Sequence, residues 1–331
     1  MKMPKINKLP SGSWRAQVQI NGVRKSITGP DKKSVQDAIM RLKLENDNVA
    51  RGTVADVLRQ YIEDREPVLS PSTVRRYRQL QSFFPELNRR ALSSLSDAEC
   101  QRAISKAAGH YSGKTITNAW GFYSSAMKAA GRTVLVRLPP VVKHEHPFLS
   151  HDQIRQFLQL VQGQRLEIAI LLGLHGLRRS EIFGLRWQDV DLQKKTIRIA
   201  GATVRDSDGY MVYKPQTKNA SSNRTIPILI PRLSDLLEAE SRRSEHVVTC
   251  GHNEIYEAVN RICKANDLPL IGVHGLRHSF VSLCYYLGVS EKVAMRLGGY
   301  ADYGTMRRIY THLAEEELLE SAAELRGFFE K

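Results

Sequence analysis

Apolar positions along the chain recur with two different periods. Residues 13–20 (SWRAQVQI) alternate in character at period two, Asn21-Gly22 is a strong two-residue hairpin signal, and Val23–Gly29 resumes the alternation. Gly29-Pro30-Asp31 breaks that pattern, and Val35, Ala38, Ile39 and Leu42 then fall at helical spacing. The front of the chain therefore predicts a hairpin-based sheet packed on one helix, with a small core around Trp14.

Residues 53–134 switch to helical periodicity. VADVLRQYIEDR is amphipathic, and Ser70-Pro71-Ser72-Thr73 offers a cap and a proline at the first helical position of TVRRYRQLQSFF. Ser96-Asp97-Ala98-Glu99 has capping-box chemistry, and Ser112-Gly113-Lys114-Thr115 precedes a helix that ends before Gly131. The pattern predicts a four- or five-helix bundle rich in arginine. Residues 135–147, with Pro139 and Pro140, read as a linker.

From residue 148 onward the chain is again mainly helical. Ser150-His151-Asp152-Gln153 opens one helix and EIAILLGLHG reads as a buried one. Val190–Ala200, Tyr210–Lys214 and Arg224–Ile230 read as strands of a small sheet, and helices follow to the end. The fold class is mainly α with small β-sheets (α+β), in three domains: 1–51, 52–138 and, after a linker at 139–147, 148–331.

Composition narrows the function classes. The 331 residues are 42% hydrophobic and 25% charged, as in folded globular proteins. The best apolar run, Ile168–Leu174, is seven residues, far short of the roughly 20 a membrane helix needs, and the basic N-terminus lacks a signal-peptide apolar region. Cys100, Cys250, Cys263 and Cys284 form no CxxC pair, which points to a reducing cytosol and inert packing thiols. Charge is more informative. Residues 1–51 hold 11 basic and 4 acidic side chains, residues 52–147 hold 14 and 8, and residues 148–331 hold 24 and 22. A basic front implies a polyanionic partner, nucleic acid first.

Four segments of the last domain carry candidate chemistry. Arg178 follows Gly-Leu at the end of the apolar helix, with Glu181 three residues on. Lys218 sits in the polar turn T217-K-N-A-S-S-N-R224, where a lysine alone reads as a solvated charge. His274, Arg277 and His278 share H274-G-L-R-H278, which lacks the glutamate of a zinc HExxH helix and argues against a metal pair. Tyr310 closes L297-G-G-Y-A-D-Y-G-T-M-R-R-I-Y310-T-H-L and precedes an acidic amphipathic tail.

In that order, the four segments resemble the tyrosine site-specific recombinases, the phage-type integrases. The likeness implies a catalytic domain of the tyrosine recombinase and topoisomerase IB type over 148–331, a helical core-binding (SAM-like) domain over 52–138 and an arm-type DNA-binding domain over 1–51. It implies an enzyme that cuts and rejoins DNA through a 3′-phosphotyrosine at Tyr310, without metal or cofactor, to integrate and excise a phage or mobile element. By the resemblance, Arg178 and Arg277 clamp the phosphate, Lys218 protonates the leaving 5′ oxygen, His274 handles the tyrosine proton, and Glu181 and His278 support them. Such roles suit the chemistry, since a phenol with a pKa of roughly 10 needs a charge trap and a proton acceptor to attack at neutral pH.

The sequence departs from the family pattern at one place. Gly299-Tyr300 stands where a His or Trp usually follows Leu-Gly, so Tyr300 takes that place, and Tyr300 and Tyr303 become competing nucleophile candidates. The implied partners are double-stranded DNA with core and arm attachment sites, three further copies of the chain in a tetramer, and accessory DNA-bending proteins, all in the bacterial cytosol. A chromosome resolvase of the Xer kind, a topoisomerase IB-like enzyme and a catalytically inactive DNA-binding regulator are the alternatives.

Overall fold

The computed structural model describes residues 4–20, 23–47, 52–142, 147–215, 223–301, 304, 306 and 326. The Asn21-Gly22 turn, Lys218, Tyr303, Tyr310 and nearly all of the acidic tail lie outside them. The chain divides into two compact units, Met1–Lys143 with Arg205–Tyr210, and His144–Val204 with Met211–Lys331.

The first unit opens with a three-stranded antiparallel sheet of β1 (Ile6–Lys8), β2 (Trp14–Ile20) and β3 (Val23–Gly29), in that order. Sequence periodicity missed β1, which is too short to show a period. Helix α1 (Lys32–Asp47) packs on β2 and β3, its start fixed by the Asp31 carboxylate accepting from the Ser34 N–H at 2.7 Å. The core here is Ala16, Val18, Val35 and Ile39. Trp14 is only partly buried and covers its edge, so the expected tryptophan-centred core is corrected to an aliphatic one.

The same unit continues with α2 (Val54–Glu63), α3 (Pro71–Leu80), the single turn α4 (Pro85–Asn88), α5 (Asp97–Ala108) and α6 (Gly113–Ala129). Complete capping boxes start α2 at Thr53 and α5 at Ser96, and the Ser112 hydroxyl accepts from the Thr115 N–H to start α6. Ser70 makes no such bond, and α3 relies on Pro71 at its first position. These helices enclose Leu58, Phe84, Leu92, Ile104, Ile116 and Tyr123. The Tyr123 hydroxyl accepts from the Phe84 N–H (3.2 Å) and has the Gln81 carbonyl (2.9 Å) and Asn88 Oδ1 (2.8 Å) within donating reach, which makes burial of a phenol tolerable.

The second unit is built from α7 (His151–Val161), α8 (Glu167–Leu174), α9 (Arg179–Gly184), α10 (Pro231–Ala239), α11 (Glu254–Ala265), α12 (Val273–Tyr286) and α13 (Glu291–Gly298). Val190–Ala200, expected as one strand, is two: β4 (Val190–Asp191) turns back on β5 (Thr196–Ile199), because the Asp191 carboxylate accepts from the Lys194 N–H at 2.8 Å and Lys195 turns left-handed. β5 pairs in turn with β8 (Arg224–Pro227), and β6 (Ala202–Arg205) pairs with β7 (Met211–Lys214) as a separate two-stranded sheet. The apolar helix α8 lies at the centre against α12, α10 and α11. Its buried Glu167 accepts from Arg232 at 2.9 and 3.2 Å, tying α8 to α10. Leu149 donates its N–H to the buried Ser279 hydroxyl at 2.8 Å, tying the start of this unit to α12. Among the described residues no helix is long and apolar enough to cross a membrane.

Candidate active site

Two glycines create the site. After α8, Gly176 adopts φ +92 and the Leu177 N–H returns to the Leu172 carbonyl at 3.2 Å, a left-handed helix end that sends the chain straight into α9. A Cβ at Gly176 would stand 2.8 Å from the Phe280 ring. After α13, Gly299 is also left-handed (φ +66), and a Cβ there would collide with the Arg224 guanidinium. One glycine launches Arg178, and the other lets a turn of backbone lie against a cation.

Arg178 stands immediately before α9, and Glu181 points back at it from the first turn. The Glu181 carboxylate accepts from the Arg178 N–H at 3.0 Å and from its Nη1 at 2.6 Å. Arg178 Nη2 donates to the Gly299 carbonyl at 2.5 Å. The Arg178 side chain keeps 29% of its surface open, whereas that of Glu181 keeps 2%. Burial pushes the Glu181 pKa up, but Arg224 and then Arg178 outweigh it and hold the carboxyl below its ordinary range.

Arg277 enters from α12 and is 3% exposed. Its Nη1 donates to the Gly176 carbonyl at 2.6 Å and its Nε to the Tyr300 hydroxyl at 3.2 Å, with Cζ 4.1 Å from the centre of the Tyr300 ring. Burial pushes the Arg277 pKa down to about 10, so the group remains a cation at neutral pH. Tyr300 is itself buried and follows the Gly299 turn. The Tyr300 phenol, expected from the resemblance at the His or Trp place, receives a hydrogen bond from Arg277 and lies under its charge.

Sequence reasoning overlooked Arg224 on β8. Its Nη1 and Nη2 donate to the two oxygens of Glu181 at 3.3 and 3.1 Å, and its Nε donates to the Leu297 carbonyl at 2.9 Å. A signal was available: in β8 residues 224 and 226 share the inward face, so an arginine two residues before a core isoleucine needs a buried anion. His175 was overlooked too. Its Nε2 accepts from the Leu229 N–H at 2.8 Å, its ring stacks on Phe280, and burial lowers its pKa to about 4.

Three guanidinium groups from distant parts of the chain therefore close on residues 297–300, with one carboxylate among them. Three positive charges against one negative leave an excess that suits a bound anion with bidentate oxygens. Of the other expected residues, His274 is exposed on the first turn of α12 and His278 is half-buried one turn on, their ring centres 6.2 Å apart. Among the described residues no three His, Cys, Asp or Glu side chains gather as a metal site.

A family model described as the phage integrase family matches residues 147–317, just over half of the chain. The chain belongs to that family. It is 25% identical over 241 residues to a XerC-like tyrosine recombinase of Caldanaerobacter subterraneus subsp. tengcongensis, covering 62% of this chain and 61% of the relative. It is 29% identical over 192 residues to the integrase of Staphylococcus phage L54a, covering 50% and 54%. The chain thus spans about three fifths or less of these relatives. Among solved structures, the Tn1549 transposon integrase in complex with transposon right end DNA superposes with a TM-score of 0.65 at 18% identity, over 82% of this chain and 100% of that one. A lambda integrase tetramer bound to a Holliday junction superposes at 0.53 and 16%, over 91% and 96%. The shared architecture is the helix-rich α+β fold with small sheets of the tyrosine recombinases, and the integrase-family match covers every residue of the arginine site.

Proposed function

We propose that this integrase-family chain is a site-specific DNA recombinase that integrates and excises a phage or mobile element. Tyr310 attacks a backbone phosphorus, its oxygen bonds to phosphorus as the bond to the 5′ oxygen breaks, and a 3′-phosphotyrosine holds the cut end. Arg178 and Arg277 receive the non-bridging oxygens as negative charge builds. Lys218 gives the proton to the leaving 5′ oxygen, His274 takes the proton of Tyr310, and Glu181 and His278 act behind them. Tyr300 supports the phosphate through Arg277. No metal or cofactor enters this scheme.

The observation that carries the reading is the convergence of Arg178, held by the buried Glu181 carboxylate, and Arg277, held by the Gly176 carbonyl, on the Gly299-Tyr300 turn. Preorganised charge of this kind stabilises a pentacoordinate phosphorane, and it costs no reorganisation at the moment of reaction. The reading extends to a division at 1–51 (arm sites), 52–138 (core sites), a linker at 139–147 and a catalytic domain at 148–331. The separate aliphatic core of the N-terminal sheet and the +7 charge of residues 1–51 support it. Assembly as a tetramer on two DNA duplexes, with DNA-bending accessory proteins, in the bacterial cytosol, completes the proposal.

The test is covalent trapping. Wild-type protein incubated with DNA of its host element, then proteolysed mildly, should leave peptide on one discrete 3′ end that sequencing identifies. Tyr310→Phe should leave none. Absence of the adduct from the wild type sinks the enzyme reading in favour of a DNA-binding regulator, and an adduct that survives in Tyr310→Phe moves the nucleophile to another tyrosine.

A further inference from the structure

Arg224 faces protein on all three of its nitrogens. Its guanidinium side chain is 4% exposed, against 29% for Arg178, so it is poorly placed to take a phosphate oxygen itself. What it touches is the apparatus that holds the other two. It grips both oxygens of Glu181 through Nη1 and Nη2, grips the Leu297 carbonyl through Nε, and lies beneath Gly299. Glu181 in turn holds Arg178, and Arg178 returns to the Gly299 carbonyl. The contacts close a ring from β8 through α9 to the turn after α13.

We propose that Arg224 is a positioning residue for strand cleavage, setting the Arg178 guanidinium through Glu181 and fixing the 297–300 turn on which Arg178 and Tyr300 bear. The inference deepens the recombinase reading and rests on it. A long side chain that is partly open to solvent has many rotamers, and Arg178 keeps one only if its carboxylate partner cannot rotate. Bidentate donation from Arg224 removes that rotation. Lysine in its place would supply charge without the planar fork and could not serve both Glu181 and Leu297.

The arrangement also predicts a pH signature. The ionisable groups facing Glu181 are Arg178 from the start of α9, Arg224 from β8 and Arg277 from α12, with Tyr300 beyond Arg277 and His175 beside Arg224. His175 is held neutral by burial and does not titrate near neutrality. With Arg224 gone, burial still pushes the Glu181 carboxyl toward its neutral form and the largest opposing charge is missing. Glu181 should then take up a proton at a higher pH and release Arg178 as it does so.

The experiment measures single-turnover formation of the covalent complex by the full chain on a nicked duplex carrying the crossover sequence, at saturating protein, across the range from acid to alkaline. DNA affinity and thermal unfolding are followed alongside. Arg224→Met should bind DNA nearly as the wild type does, yet cleave on the order of a hundredfold more slowly, with a new loss of rate on the acid side. Adding Glu181→Gln to that variant should abolish the acid limb. Arg224→Lys should give an intermediate rate. A folded Arg224→Met with wild-type rate and pH profile overturns the proposal, and so does a slowed one with no acid limb. Should Arg224→Met not fold, a wild-type rate and profile in Arg224→Lys overturns it. Failure of the wild type to form any adduct defeats instead the recombinase reading beneath it.

Discussion

The basic front of the chain and the arginine site of the C-terminal unit use the same residue types in opposite ways. Residues 1–51 and 52–147 carry +7 and +6, and two ion pairs of the second stretch are open to water: Arg59 with Asp56 is 63% and 49% exposed, Arg78 with Glu66 42% and 41%. Such pairs contribute at most about 1 kcal/mol and are screened by salt. Residues 148–331 carry only +2, yet hold Arg224, Glu181 and Arg277 almost wholly out of solvent. Net charge therefore distinguishes the first region, and burial of its arginines distinguishes the second.

The sharpest way to break this contrast is Glu181→Leu. It leaves two guanidinium groups without their carboxylate, one of them buried, and should cost about 3–5 kcal/mol of stability in denaturant unfolding. A cost near that of a surface pair would erase the distinction. Arg277→Ala comes next, expected to raise the cleavage barrier by about 3 kcal/mol in single-turnover assays. DNA affinity at moderate salt should hardly change, since a buried group adds little to counterion release.

Acid should act through the same interior. His175 titrates near its ordinary 6.5 when unfolded and at about 4 when folded, so the unfolded chain binds the proton more readily. Its contribution is complete above the unfolded pKa and is lost as pH falls toward about 4, a difference of roughly 3 kcal/mol. Urea unfolding at stepped pH should show this slope, and His175→Gln should lack it. The smallest effect on stability comes from removing residues 1–51. Unfolding of the remainder should stay where it was, while the salt dependence of arm-site binding flattens with the loss of +7. An unchanged salt slope would move the arm-site grip elsewhere.

Much of this architecture is legible in the sequence. Capping chemistry at Ser96 and Ser150 marked two helix starts, because a cap is a contact across three positions, while the helix expected to follow Ser112–Thr115 starts two residues earlier, at Gly113. The Arg178–Glu181 pair was legible for the same reason, being three residues apart on one helix start. Where the reading missed, local signals were too short or in conflict. β1 spans three residues, and the apolar positions of 190–200 hid the reversal that Asp191 imposes.

Residue types, their order, most of the local elements and the family they point to are legible along the chain. Packing of distant elements brings Arg224 to Glu181 across 43 positions and to Leu297 across 73, and Arg178 to Gly299 across 121. Periodicity reports which face a side chain occupies, within a turn or two of its own backbone. Which distant face it meets depends on how whole helices and strands pack, and there a buried cation must find an anion or a carbonyl or remain unpaired.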